Sequence, residues 1–125
     1  MTFFLTTEDA IAIGEAAVGG PLQVRDYGLL DAALARPQAS VFGEDAYPTL
    51  VEKAAAVLQS LVSNHALIDG NKRLGFTCTA VFLAANGSPL TFDEDEAFDL
   101  VIDVATGTLS EVSDIADRLR RGTAT

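Results

Sequence analysis

Positively charged residues are scarce in this chain of 125 residues, which has eight lysines and arginines against eighteen aspartates and glutamates. The formal net charge of −10 opposes the phosphate neutralisation on which binding to DNA and RNA depends, so nucleic acid is not expected as a partner. Cysteine is scarcer still. The single Cys78 cannot form an internal disulfide, and its apolar neighbours favour a buried thiol over a reactive one. A reducing cytoplasm is the expected compartment.

Long apolar runs are also missing. No basic segment precedes an apolar one at residues 1–5, as it would in a secretory signal, and the longest mostly apolar stretch, residues 74–85, is too short to cross a bilayer. We therefore expect no membrane association. The length fits one domain over residues 1–125 that buries its core without disulfides or a structural metal. Apolar residues make up 49% of the chain, which is consistent with an apolar surface kept for a partner protein.

Apolar residues recur at helical spacing along most of the chain, and no segment shows the sustained alternation of a half-buried sheet. The sequence therefore predicts an all-α bundle of about six helices. One brief strand is expected at residues 3–5, residues 37–47 are the best candidate for a flap, and the tail 122–125 is expected to fray. The predicted helices run from Thr6 or Thr7 to Gly19, from Asp26 to Pro37, from Pro48 to His65, from residue 72 to residue 86, from Asp93 to Gly107, and from Ser110 to about Arg121.

The segment His65-Ala66-Leu67-Ile68-Asp69-Gly70-Asn71-Lys72-Arg73 concentrates polar chemistry as no other part of the chain does. It lies between two apolar runs, so we expect a loop joining two central helices and forming a site. His65 is the only histidine, and thus the one obvious base near neutral pH. Asp69 can ligate Mg²⁺, which prefers one or two carboxylates together with water and phosphate oxygens. Both have a structural alternative, because His65 can contact the last carbonyls of its helix and Asp69 can cap the next one.

The other members of the segment favour an anion. Gly70 permits a positive φ, which lets backbone amides approach a ligand closely. Asn71, Lys72 and Arg73 open the next helix, whose free amides and positive dipole end attract anions. Two positive side chains are repelled by the positive end of the helix dipole, so a bound polyanion gives a reason for their presence. The alternative is that Lys72 and Arg73 offset the charge of acidic neighbours. The segment as a whole predicts a metal and phosphate site with a base beside it.

This segment resembles the signature loop of the Fic/Doc superfamily, and more closely that of the death-on-curing (Doc) toxins of bacterial toxin–antitoxin systems. The similarity is effectively full length, since four further segments look like that family's. It implies the compact Fic/Doc helical fold, with the signature loop between two central helices. The further matching segments are residues 28–37, 47–50, 82–87 and 105–107, the last followed by the terminal helix.

Departures from the Fic pattern bear on the reaction. Fic enzymes that transfer AMP carry His-x-Phe-x-Asp/Glu-Gly-Asn-Gly-Arg-x-x-Arg. Here Leu67 replaces the phenylalanine, Lys72 the second glycine and Phe76 the last arginine. Losing that arginine removes a phosphate clamp, and the lysine fills space that the glycine would leave open to the nucleotide. Doc-like proteins share the Asn-Lys-Arg form, and the resemblance to them implies that the γ-phosphate of ATP is transferred instead of AMP.

The resemblance implies a protein phosphotransferase that modifies a serine or threonine hydroxyl. The implied protein substrate is a translation factor, elongation factor Tu, so that growth would be arrested. A cognate antitoxin protein is the other implied partner, because the sequence has no inhibitory Ser/Thr-x-x-x-Glu-Gly/Asn helix. The roles implied by the resemblance are His65 as base, Asp69 on Mg²⁺, Gly70 and Asn71 as donors to phosphate oxygens, and Lys72 with Arg73 against the charge of the transferring phosphoryl group.

Two alternatives stay open at this point. One is a Fic-type AMP transferase, and the other is a catalytically silent binding module that keeps the fold and the partner surface. A metal-dependent hydrolase that uses His65 and Asp69 is disfavoured, because no second histidine or nearby carboxylate completes a ligand set.

Overall fold

The computed structural model describes residues 1–123 and has six α-helices and one small hairpin in that range. The prediction of an all-α bundle of about six helices is confirmed. The helices are α1 (Thr7–Val18), α2 (Tyr27–Ala35), α3 (Leu50–Ser63), α4 (Asn71–Ala85), α5 (Glu94–Ala105) and α6 (Val112–Arg120). Between α2 and α3, a 3-10 turn (Arg36–Gln38) leads into the antiparallel strands β1 (Ser40–Val41) and β2 (Glu44–Asp45).

Helix α3 lies at the centre of the bundle, where it packs against α2, α4, α5 and α6. Its middle is buried on every side at residues 53–58, and α4 presents a second apolar face that includes Cys78 and Phe82. Gly75 lets the two helices approach closely, since a Cβ there would lie 2.7 Å from the Cγ2 of Val62. The loop 65–73 therefore joins the two central helices, as predicted. No helix in the described range is long and apolar enough to span a membrane.

Local capping chemistry explains where three of the helices begin. The side chains of Thr6, Thr49 and Asp93 each accept a hydrogen bond from the backbone N–H of the third helical residue. The carboxylate of that third residue in turn accepts a hydrogen bond from the backbone N–H of the capping residue. Pro48 was predicted as the first helical residue, which is wrong, because Thr49 caps α3 and the helix begins at Leu50. Ser110 was predicted to cap α6, which is also wrong, since Glu111 holds that position without a side-chain cap.

The two ends of the described chain are held by specific contacts. The strand predicted at residues 3–5 is wrong, because the backbone N–H and C=O of Phe3 bond to the side chain of Asn86 and not to another strand. The tail does not fray at residues 122–123. The carbonyl of Gly122 accepts a hydrogen bond from the Thr91 amide at 2.7 Å, and Thr123 pairs with Leu90. Residues 124–125 lie outside the described part of the chain.

Candidate functional site

The segment 65–73 forms much of the wall of a cavity of about 680 Å³ between the end of α3 and the start of α4. The rest of the wall comes mainly from the end of α1 and the residues that follow it. All six residues singled out in the sequence line this cavity, namely His65, Asp69, Gly70, Asn71, Lys72 and Arg73. The base, the carboxylate and the two cations are thus brought together around one space.

His65 lies outside α3, contrary to the prediction that the helix reaches it. The helix ends at Ser63 because Asn64 turns its side chain to other backbone groups: its amide donates to the Leu29 carbonyl at 2.9 Å, and its oxygen accepts from the Ala66 amide at 3.2 Å. His65 then takes a left-handed conformation with φ 55°, which costs an L-residue about 1–2 kcal/mol. The imidazole has no hydrogen-bond partner among residues 1–123, so contact with the last helical carbonyls is not its role.

The backbone of the segment is held by the connector between α1 and α2, residues 19–26. The amides of Arg25 and Asp26 both donate to the Ala66 carbonyl, at 2.8 and 3.0 Å. The amide of Ile68 donates to the carbonyl of Gln23 at 3.0 Å, which gives the connector and the loop a short antiparallel pairing. The position of the loop therefore depends on residues about forty positions away, and sequence reasoning did not find them.

Asn71 closes the loop from its other end. Its side-chain oxygen accepts from the Leu67 amide at 3.0 Å, and its side-chain nitrogen donates to the Leu67 carbonyl at 3.0 Å. Leu67 itself is buried. The sequence assigned this amide to phosphate oxygens, whereas both its oxygen and its nitrogen are engaged within the loop. The donors that this residue offers to a ligand are its backbone N–H, at the start of α4, and the second N–H of its side-chain nitrogen.

The N-terminus of α4 presents unpaired donors to the cavity. Gly70 caps the helix with φ 89° and no side-chain bond, and the first helical hydrogen bond runs from Leu74 to Gly70 at 2.9 Å. The amides of residues 71–73 consequently have no acceptor in the described chain. Asp69 does not cap α4, because its Oδ1 accepts from the adjacent Gly70 amide at 2.9 Å. The geometry matches an anion site at a helix N-terminus.

Lys72 and Arg73 add two exposed positive charges to this helix end. Neither forms an ion pair with any carboxylate of residues 1–123, so they do not offset acidic neighbours in the way the alternative required. The described residues contain no group of three or more His, Cys, Asp or Glu side chains that could hold a metal by themselves. The single carboxylate of Asp69 beside an anion site does fit Mg²⁺, which completes its shell with water and phosphate oxygens.

A second, more apolar groove of about 330 Å³ lies between α4 and α5. Lys72 and Arg73 border it as well as the cavity, and sequence reasoning did not find it. The periodic apolar residues of α5 were the available signal, but they were assigned to the core, whereas Phe98 is 64% exposed. The other lining residues are Phe76, Thr77, Ala97, Val101 and Ile102.

Residues 37–47, the predicted flap, form the 3-10 turn and the hairpin and do not line the cavity. The hairpin is held to the first turn of α3. Lys53 is buried there, where its ammonium pairs with Asp45 at 3.1 Å and donates to the Tyr47 carbonyl. A covering role for this segment stays a prediction.

Comparison with known proteins agrees with this geometry. Residues 4–83 match the model of the Fic/DOC family, a range that includes α1 to α3, the whole segment 65–73 and most of α4. The chain belongs to the Fic/DOC family. Over 108 residues it is 58% identical to a protein of Mycolicibacterium smegmatis (strain ATCC 700084 / mc(2)155) named Toxin Doc, and the alignment covers 85% of this chain and 83% of that relative. The resemblance drawn from the signature segment is confirmed.

Proposed function

We propose that this Fic/DOC protein is a toxin that transfers the γ-phosphate of ATP to a serine or threonine hydroxyl of a protein. The observation that carries the proposal is the convergence of His65, Asp69 and the N-terminus of α4 on one cavity. An imidazole without a partner is available as a base, and unpaired amides with two unpaired cations are available to a polyanion. The groove between α4 and α5 includes neither His65 nor Asp69 and so does not combine these groups.

In the proposed reaction the hydroxyl oxygen attacks the γ-phosphorus while His65 accepts the hydroxyl proton, and the bond between the γ-phosphorus and the bridging oxygen breaks. ADP leaves with the electron pair of that bond. The amides of residues 71–73 and the side chains of Lys72 and Arg73 stabilise the charge on the phosphoryl oxygens. Asp69 would hold Mg²⁺, which neutralises phosphate charge when bound.

The side chain at position 76 supports phosphate transfer over AMP transfer. Phe76 stands where AMP-transferring Fic enzymes have their last arginine, and it lines the apolar groove between α4 and α5. A phenyl ring offers no ligand for a phosphate, so the clamp implied for AMP transfer is missing at this position. Arg73 is the guanidinium that remains on this face of α4.

The partners of the protein follow from the same proposal. The relative named Toxin Doc supports a toxin controlled by a cognate antitoxin. The protein substrate is proposed to be a translation factor, elongation factor Tu, whose phosphorylation would stop growth in the cytoplasm. Nucleic acid is not proposed as a partner, because the net charge is −10.

The test uses purified protein, elongation factor Tu and ATP labelled at either the α or the γ position. We expect label from the γ position on the factor and none from the α position, with intact-mass analysis showing an added phosphate. Label from the α position would instead establish AMP transfer. Transfer from neither position would refute transfer to this factor, and growth arrest that also survives His65→Ala would establish the silent binding module.

Matched variants separate catalysis from folding. His65→Ala and Asp69→Asn should each abolish transfer and growth arrest. Asp117→Asn is the control for the carboxylate change, because Asp117 is exposed and pairs with Arg120 at 2.6 Å away from the cavity. Growth arrest by His65→Ala as strong as that by the wild type would refute the proposed catalytic role of the imidazole.

A further inference from the structure

We infer that Arg25 is a positioning residue, which fixes the imidazole of His65 by holding the carbonyl of the same residue. Arg25 lies in the connector 19–26 and is no part of the signature segment. Its Nε donates to the His65 carbonyl at 2.9 Å, and its Nη2 donates to the same oxygen at 2.5 Å. The kinetic part of this inference rests on the proposed function, and the structural part does not.

The two hydrogen bonds act where the backbone is strained. His65 has φ 55°, a conformation that a non-glycine residue keeps only when its surroundings enforce it. Two donors of one planar guanidinium fix both the distance and the direction of the carbonyl, which a single flexible ammonium does not. The side chain of His65 branches from the same residue, so any change in this peptide moves the imidazole within the cavity.

The other contacts of the connector do not replace this one. The other hydrogen bonds of the connector join the amides of Arg25 and Asp26 to the Ala66 carbonyl, and the Ile68 amide to the Gln23 carbonyl. They lie on the far side of His65 from α3 and do not involve the backbone of His65. In the described chain, the guanidinium of Arg25 provides the only hydrogen bonds to His65. The backbone pairing uses main-chain atoms and persists when the side chain is shortened. Arg25→Ala therefore removes the hold on His65 while the loop stays attached to the connector.

Nuclear magnetic resonance of the imidazole tests the structural part directly. Because His65 is the only histidine, its ring signals are assigned without ambiguity. We expect these signals to move or split in Arg25→Ala, to change less in Arg25→Lys, and to stay in place in Arg118→Ala. Arg118 is the control because it pairs with Asp103 at 2.8 Å outside the cavity. Ring signals of Arg25→Ala that superimpose on those of the wild type, in a folded protein, would overturn the inference.

Steady-state kinetics test the consequence for transfer. Misplacing a catalytic group by about 1 Å lowers a rate about 100-fold, so kcat of Arg25→Ala should fall by up to that factor while KM for ATP changes less than about twofold. Added guanidinium should partly restore kcat of Arg25→Ala and leave the wild type unchanged. A raised KM with unchanged kcat would instead make Arg25 a substrate ligand. If the wild type transfers nothing, the proposed function fails, and the ring signals alone decide the role of Arg25.

Discussion

Gly70 and Gly87 form a matched pair for testing the proposal that the phosphates of ATP bind at the turn before α4. Both have positive φ, 89° and 85°, and a Cβ added at either would meet no atom within 4 Å. Alanine at either position is therefore destabilised by the left-handed backbone alone, by about 1–2 kcal/mol. The reduced conformational freedom of the unfolded alanine chain offsets about 0.4–1 kcal/mol of this. Each substitution should lower the free energy of unfolding by about 1 kcal/mol.

The expected change in melting temperature follows from the length of the chain. Unfolding entropy of about 2.1 cal/mol/K per residue gives about 0.26 kcal/mol/K for 125 residues. A loss of about 1 kcal/mol therefore lowers Tm by about 4 °C in both variants. Differential scanning calorimetry measures this directly. A much larger decrease for Gly70→Ala than for Gly87→Ala would refute the claim that both sites carry only backbone strain.

The two glycines differ in their position relative to the cavity. Gly70 lines it beside the unpaired amides of α4, whereas Gly87 lines neither the cavity nor the apolar groove. A methyl group at Gly70 would occupy space through which phosphate oxygens reach those amides. Losing one hydrogen bond to a charged acceptor is worth about 1.5–3 kcal/mol, so ATP should bind Gly70→Ala at least about tenfold more weakly. Isothermal titration that gives equal affinity for both variants would refute phosphate binding at this turn.

Two further predictions concern groups that the fold buries or engages. Burial raises the pKa of the Cys78 thiol from its ordinary 9.0 to about 12. A thiol reagent at pH 8 should therefore label Cys78 only when the protein unfolds, and rapid labelling of the native protein would contradict this. Because the thiol ionises more readily in the unfolded chain, the free energy of unfolding should decline as pH rises from 9.0 towards 12. Asn71→Ala removes the side-chain oxygen and nitrogen that bond to the amide and carbonyl of Leu67. Urea unfolding should therefore show a free energy of unfolding lower by about 1–3 kcal/mol. A decrease near zero would show that water replaces both hydrogen bonds.

The helical bundle was predictable because its signals are local. A threonine or aspartate three positions before a carboxylate, at the start of an apolar helical stripe, is a local signal for a capping box, and Thr6 and Asp93 both form one. The apolar spacing of α3 and α4 is equally local, and it placed the signature loop between them. The errors at Pro48 and Ser110 shifted helix starts by one or two residues and left the element order unchanged.

The end of α3 was not predictable from its own residues. The apolar stripe can continue for one more turn, and nothing nearby in the sequence stops it. The helix ends because Asn64 bonds to the carbonyl of Leu29, thirty-five residues earlier, and because the connector pairs with the loop. Such contacts exist only after the chain has folded. The sequence could therefore identify His65 as a candidate base, but it could not predict that His65 has a left-handed backbone conformation and an exposed side chain.

Around His65, the groups proposed to take part in the reaction differ from the groups whose contacts hold the loop in position. The groups proposed to react or to bind phosphate are contiguous, from His65 to Arg73, which is why a short motif identifies them. Two side chains hold this segment in place. Arg25, outside the segment, donates two hydrogen bonds to the carbonyl of His65. Asn71, inside it, uses its side chain to bond to the backbone of Leu67 and not to phosphate as the sequence predicted. A protein that kept the motif but lost the arginine of the connector would keep every group proposed for catalysis, and it would need some other contact to hold the base in place.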